Sequence, residues 1–153
     1  MVAQQTHNRG SQKVAIAARQ ARVASPEALF RGLLAALAAG DHTVLKAGQT
    51  AFHRAFYRVV QELQSGRVSL PERIDFREVD FDPLYGLSGW LDLALTRAQR
   101  DSLVSFANPS YRRIEIRYTR HEGQRQLRAS AMRQPLEELS AIFLRELAEE
   151  HPA

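Results

Sequence analysis

From residue 25 onward the hydrophobic positions fall into helical spacing. Leu29, Phe30, Leu33, Leu34 and Leu37 form a stripe at steps of three and four. The stripe predicts a helix opened by Ser25-Pro26-Glu27, in which Ser is a good N-cap, Pro fits the first turn and Glu complements the positive end of the dipole. Gly40 stands where a C′ residue would stop it. A second helix is predicted over residues 43–64, where Phe52, Phe56, Val59, Val60 and Leu63 recur at the same spacing. Asp41 or Thr43 serves as its cap and Gly66 as its stop. Gly48 weakens the first turns and moves the effective start towards Gln49.

After Pro71 the period shortens. Ile74, Phe76, Val79 and Phe81 nearly alternate with Asp75, Arg77, Glu78 and Asp80, which predicts a short strand with a bulge after Phe76. Asp82-Pro83-Leu84-Tyr85-Gly86 reads as a turn. Ser88 caps a helical pattern containing Trp90, Leu91, Ala94 and Leu95, and Thr96-x-x-Gln99 offers a second start. Residues 88–106 are therefore two short helices meeting near Thr96 or one bent helix, closed by Asn108-Pro109. Ile114, Ile116 and Tyr118 then alternate with Arg113, Glu115 and Arg117. Leu127, Ala129 and Ala131 alternate with Gln126, Arg128 and Ser130. With residues 120–124 as the loop, this predicts a β-hairpin over 111–132. A last helix, residues 135–150, carries Leu136, Leu139, Phe143 and Leu147 on one side, widened by Ile142 and Leu144. That side closes the core or pairs with a second copy in a homodimer. The expected class is α+β, mostly helical, with one short strand and a C-terminal hairpin.

Charge adds what the pattern leaves open. The 153 residues carry a formal net charge of +4, but the charge is segregated. Residues 1–24 hold Arg9, Lys13, Arg19 and Arg22 with no acid and read as a flexible basic arm, either gripping phosphates or forming a tail, ahead of a single domain over 25–153. Residues 96–133 hold nine Arg against Asp101, Glu115 and Glu122, a net of +6. Acidic segments lie on both sides, at 67–95 and 134–153. Lys13 and Lys46 are the only Lys residues. A GC-rich genome explains a preference for Arg, but it does not explain where the Arg cluster. With no Cys, disulfides, thiolate metal sites and Cys nucleophiles are excluded. No run of about 18 apolar residues offers a membrane span, and Val14–Ala18 is too short for a secretory segment. The chain reads as a bacterial, cytoplasmic protein with no membrane partner.

The order helix–strand–helix–helix–hairpin, carried by LSGWLDLALTRAQRDSLVSF followed by YRRIEIRYTRHEGQRQLRA, resembles the winged-helix variant of the helix-turn-helix domain. The resemblance implies a winged-helix-like fold with an extra N-terminal helix and a C-terminal helix. It further implies a third helix in the major groove and a wing on phosphates. Carried over, residues 96–106 become the recognition helix presenting Arg97, Gln99 and Arg100 to base edges. The basic wing presents Arg113, Arg117, Arg120, His121, Arg125 and Arg128 to phosphates. The implied function is a small regulator that binds duplex DNA. The alternative is a non-catalytic subunit docking a protein partner, with the Arg block paired to acidic segments.

Catalytic chemistry has little support. His7, His42, His53, His121 and His151 show no metal-ligand spacing. His53 and Tyr57, four apart, read as a structural pair. Asp75, Glu78, Asp80 and Asp82 lack the Lys that a metal-dependent nuclease pattern would add, and no phosphate loop or nucleophile elbow is present. The expectation is no cofactor, no metal and no enzymatic activity.

Overall fold

The computed structural model describes residues 24–107 and 111–150; the arm expected over residues 1–24, but for its last residue, and the stop expected at Asn108-Pro109 lie outside the described residues. The fold mixes helix and sheet. Its elements are α1 (Pro26–Ala39), β1 (Val44–Leu45), α2 (Gln49–Gln64), α3 (Gly89–Arg100), β2 (Val104–Ser105), β3 (Ile114–Ile116), α4 (Arg120–Ala129) and α5 (Arg133–Glu150).

The helices with wide apolar stripes form where the sequence places them. Ser25 caps α1 through its side-chain oxygen, which accepts from the Ala28 N–H, and Pro26 opens the helix. Its stop differs in detail. Gly40 keeps a negative φ of −87°, and Asp41 takes the left-handed conformation instead (φ 68°). The N–H groups of Asp41 and His42 then close back onto the carbonyls of Ala38 and Leu37, the paired bonds of a Schellman end. Gly48 is the N-cap of α2, and Val44–Leu45, expected inside that helix, form β1 instead.

The rings of Phe30, Phe52, Phe56 and Phe143 tie α1, α2 and α5 together in edge-to-face contacts. Trp90 of α3 stacks on Phe56. All four Phe are at most 1% exposed, so this cluster is the centre of the core. Leu136, Leu139, Phe143 and Leu147 of α5 are buried there, so within the chain the apolar side of α5 closes the core.

Three expectations are corrected. Residues 88–106 contain one helix that stops at Arg100 rather than two helices or one bent helix. Ser102 adopts a left-handed φ of 61°, the Leu103 N–H returns to the Ala98 carbonyl, and Val104–Ser105 become β2. Thr96 starts nothing; it lies within α3 and its hydroxyl donates to the Asp92 carbonyl. Residues 74–81 are not a strand. They pair with no neighbour and turn on the Asp75 carboxylate, which accepts from the Arg77 N–H.

The third correction removes the hairpin over 111–132. β3 is a strand, but residues 120–129 are helix α4. Thr119 and Glu122 form a reciprocal capping box. The alternation at 127–131 is incidental, since Leu127 is buried while Ala129 and Ala131 are exposed. β3 instead takes the centre of an antiparallel sheet in the order β1-β3-β2. Val44 stands opposite Glu115, and Val104 opposite Ile116. Ile114 and Ile116 point into the core, and Glu115 lies on the other face with Arg113 and Arg117.

Gly123, expected in a loop, marks the closest approach of α4 to α1. A Cβ built on it would lie 2.6 Å from the Ala35 carbonyl oxygen and 2.8 Å from the Ala39 nitrogen. Both are backbone atoms that cannot move aside. Gly123→Ala should therefore destabilise the protein by about 1–3 kcal/mol through overpacking, although Ala favours helix over Gly by about 1 kcal/mol. Urea unfolding checks this; a variant as stable as the parent would contradict the close approach.

Candidate nucleic-acid interface and the anchoring of α3

The first turn of α3 is held by three polar groups. Ser88, as expected, is the N-cap, its hydroxyl oxygen accepting from the Leu91 N–H at 3.1 Å. Asp80 reaches in from the preceding segment and accepts from the N–H groups of Gly89 and Trp90 at 3.1 and 2.9 Å. It also lies 3.3 Å from the Ser88 hydroxyl. These donors hold the Asp80 carboxyl below its ordinary pKa, the Trp90 N–H foremost.

From α2, His53 is 0% exposed, and its Nδ1 accepts from the Ser88 N–H at 2.8 Å. The proton of the neutral ring is therefore on Nε2. That nitrogen lies 3.1 Å from Asp92 Oδ1, off the axis of its N–H, so the contact is electrostatic and not an aligned hydrogen bond. Burial lowers the His53 pKa, and Asp92 opposes that shift. The partner of His53 is thus Ser88, not the Tyr57 expected from spacing; Tyr57 stacks on Phe81 at 4.0 Å. Ser88, His53 and Asp92 do not form a nucleophilic relay. The Ser88 hydroxyl faces Asp80, and the imidazole nitrogen that would act as base already holds a backbone N–H.

The C-terminal end of α3 is tied to α1. Arg97 pairs with Glu27 at 3.1 Å, and Asp101 with Arg31. Fixed at both ends, α3 buries Leu91, Ala94, Leu95 and Ala98 and turns Gly89, Leu93, Thr96 and Arg100 outward, all exposed. Those four lie at the i, i+4, i+7 and i+11 positions of one helix face. Leu93 is 61% exposed on that face.

The sequence-predicted site residues divide in two. Arg97 and Arg113 are held by Glu27 and Glu115. Gln99 is exposed but lies to one side of the outward stripe. Arg100, Arg117, Arg120, Arg125 and Arg128 are exposed, and no described carboxylate lies within ion-pair distance of them. They follow one another through the fold. Arg100 ends α3 three residues before Leu103, whose carbonyl accepts from the Arg117 N–H at 2.8 Å. Arg120 opens α4 three residues later. On α4, His121, Arg125 and Arg128 are exposed at i, i+4 and i+7, with Gln124 half-buried beside them. At the other end of β3, Arg112 is exposed, and continuing the register by one step sets Lys46 opposite Arg113.

Reading residues 125–128 as strand placed these side chains on a wing; they line a helix. Leu93 was missed and Thr96 was read as a cap because the recognition helix was started at Thr96. Starting it after Ser88 gives their face directly. Among the described residues no cluster of His, Asp and Glu could hold a metal, and no helix is long and apolar enough to cross a membrane. No known protein family, curated protein or solved structure matches the chain.

Asp80→Ala should cost about 1–2 kcal/mol, the size of a lost N-terminal cap. Chemical denaturation measures this. A loss confined to a few tenths would mean that Asp80 does not hold α3.

Proposed function

We propose that this chain is a non-catalytic DNA-binding protein, a small regulator. It meets duplex DNA with the outward face of α3 and grips phosphates with the Arg track that continues to α4. One observation carries the reading. Of the nine Arg in residues 96–133, Arg97, Arg113 and Arg133 pair with Glu27, Glu115 and Glu137. The other six stand exposed without a described carboxylate partner. Neutralisation within the chain, the main competing use for the block, thus leaves most of it available. Guanidinium groups suit phosphate oxygens in two-point contact.

The element order supports the same reading. Helix, strand, helix, helix, strand, strand, the pattern that carries the winged-helix resemblance, runs through α1, β1, α2, α3, β2 and β3, one helix earlier than expected. In that alignment α3 is the third helix, and residues 111–113, with Arg112 and Arg113, belong to the wing. Leu93, Thr96 and Arg100 are the side chains aimed at base edges, of which Leu93 suits a thymine methyl and Arg100 a guanine. α4 adds a phosphate-facing helix that the resemblance does not imply.

A protein-docking subunit is the second reading, favoured by Leu84 and Tyr85, 79% and 67% exposed at the tip of the Asp82–Leu87 turn.

Fluorescence anisotropy with a labelled duplex at several salt concentrations tests the proposal. Each phosphate contact adds about −0.9 to the slope of log affinity against log salt. The triple variant Arg100→Ala/Arg125→Ala/Arg128→Ala should flatten that slope by about 2–3 and weaken binding by roughly tenfold or more at low salt. Its melting temperature should match the parent, since all three side chains are exposed. No binding by the parent at low salt, or equal slopes, would reject the proposal.

A further inference from the structure

We propose that His53 is a proton-operated latch on the N-terminus of α3. In its neutral form the ring accepts the Ser88 N–H at Nδ1. On its other edge Nε2 faces the Asp92 carboxylate at 3.1 Å without an aligned bond. The two edges favour opposite protonation states. The Ser88 N–H requires a bare nitrogen, whereas Asp92 attracts a charged ring. Taking up one proton from solvent converts Nδ1 from acceptor to donor, so that N–H faces N–H. The imidazolium is then drawn towards Asp92 and releases Ser88.

The groups around the ring fit this exchange. Asp92 faces it from α3 and Asp80 from the segment before α3; these are the two carboxylates that act on it. Gln49, one turn earlier on α2, donates to the same Asp92 oxygen at 3.2 Å, which keeps that carboxylate in place. Tyr111, from the β2–β3 connection, is 5% exposed, and its hydroxyl has no described partner. Burial raises its pKa, with the nearby Asp92 adding to the shift, so it stays protonated. Asp92 is half-exposed and gives the proton a short path from solvent.

The sign follows from the direction of the His53 shift. The folded chain binds this proton less readily than the unfolded chain, whose imidazole titrates near the ordinary 6.5. The latched state is therefore complete above that pH and weakens as pH falls below it. The consequence for DNA rests on the reading of α3 as a DNA-contacting helix: acid should lower affinity by disordering the first turn that sets the position of Leu93.

Hydrogen exchange of the Ser88 amide, with nitrogen NMR of the His53 ring, tests the latch between about pH 7.5 and about pH 5, around the range where imidazole titrates. In the parent, Ser88 protection should fall by up to roughly tenfold per pH unit as the ring protonates, while core amides of α5 such as Leu139 stay better protected than Ser88 throughout. His53→Gln, which cannot take up the proton, should show no such fall. Asp92→Asn, which removes the carboxylate that favours the charged ring, should move the transition to lower pH. PH-independent protection in the parent, or the same pH dependence in His53→Gln, would overturn the latch. If His53→Gln does not fold, identical transitions in the parent and Asp92→Asn would do so. Duplex affinity measured alongside separates the two claims. Absent binding at about pH 7.5 sinks the DNA reading and leaves the latch to the Ser88 amide. Unchanged affinity across a transition in which Ser88 opens overturns the coupling between them.

Discussion

A single imidazole nitrogen and a carboxylate hold the start of α3. The helix has 12 residues, too few to be stable alone in water, and it packs through Leu91, Ala94, Leu95 and Ala98 and through Trp90 stacked on Phe56. Its ends are held as well as its packed face. His53 and Asp80 take up the N–H groups of Ser88, Gly89 and Trp90, and Glu27 and Arg31 hold Arg97 and Asp101. Because these contacts come from α1, α2 and the segment before α3, the helix is a bridge laid across parts that the phenylalanine core has already fixed. Its exposed face is set by geometry rather than by its own stability.

The same economy appears in α4. Leu127 is the one large side chain among its buried residues, and its helicity comes from the Thr119–Glu122 box and from contact with α1 at Gly123. A helix that buries so little is free to devote its other faces to polar groups, and His121, Arg125 and Arg128 occupy them. The fold thus leaves two short helices with outward faces, one of mixed character on α3 and one basic on α4, joined through the end of β3.

Much of the scaffold was legible in the sequence, for identifiable reasons. α1, α2 and α5 announce themselves through stripes of large apolar residues, helped by the Ser25 cap of α1 and the weak point at Gly48 ahead of α2, although the cap expected for α2 at Asp41 or Thr43 falls before β1 and the N-cap is Gly48. β1 and β2 are two residues each, too short to show a period, and exist only because β3 lies between them. The hairpin was misread because Leu127, Ala129 and Ala131 alternate by chance, and because Gly123 suggested a turn when its real use is close helix packing. Thr119-x-x-Glu122 was the available counter-signal. The Arg cluster was visible as composition. Which Arg are paired and which are not was invisible, because Glu27 and Arg97 are 70 positions apart. The His53–Ser88 bond, spanning 35 positions, was hidden for the same reason.

The most direct measurement of the central claim is a hydrogen-exchange footprint of the parent chain with and without a short DNA duplex at low salt. The account predicts protection confined to residues 93–100, 111–113 and 117–128, disappearing at high salt. Protection centred instead on the turn at residues 82–87, or no protection anywhere, would contradict it.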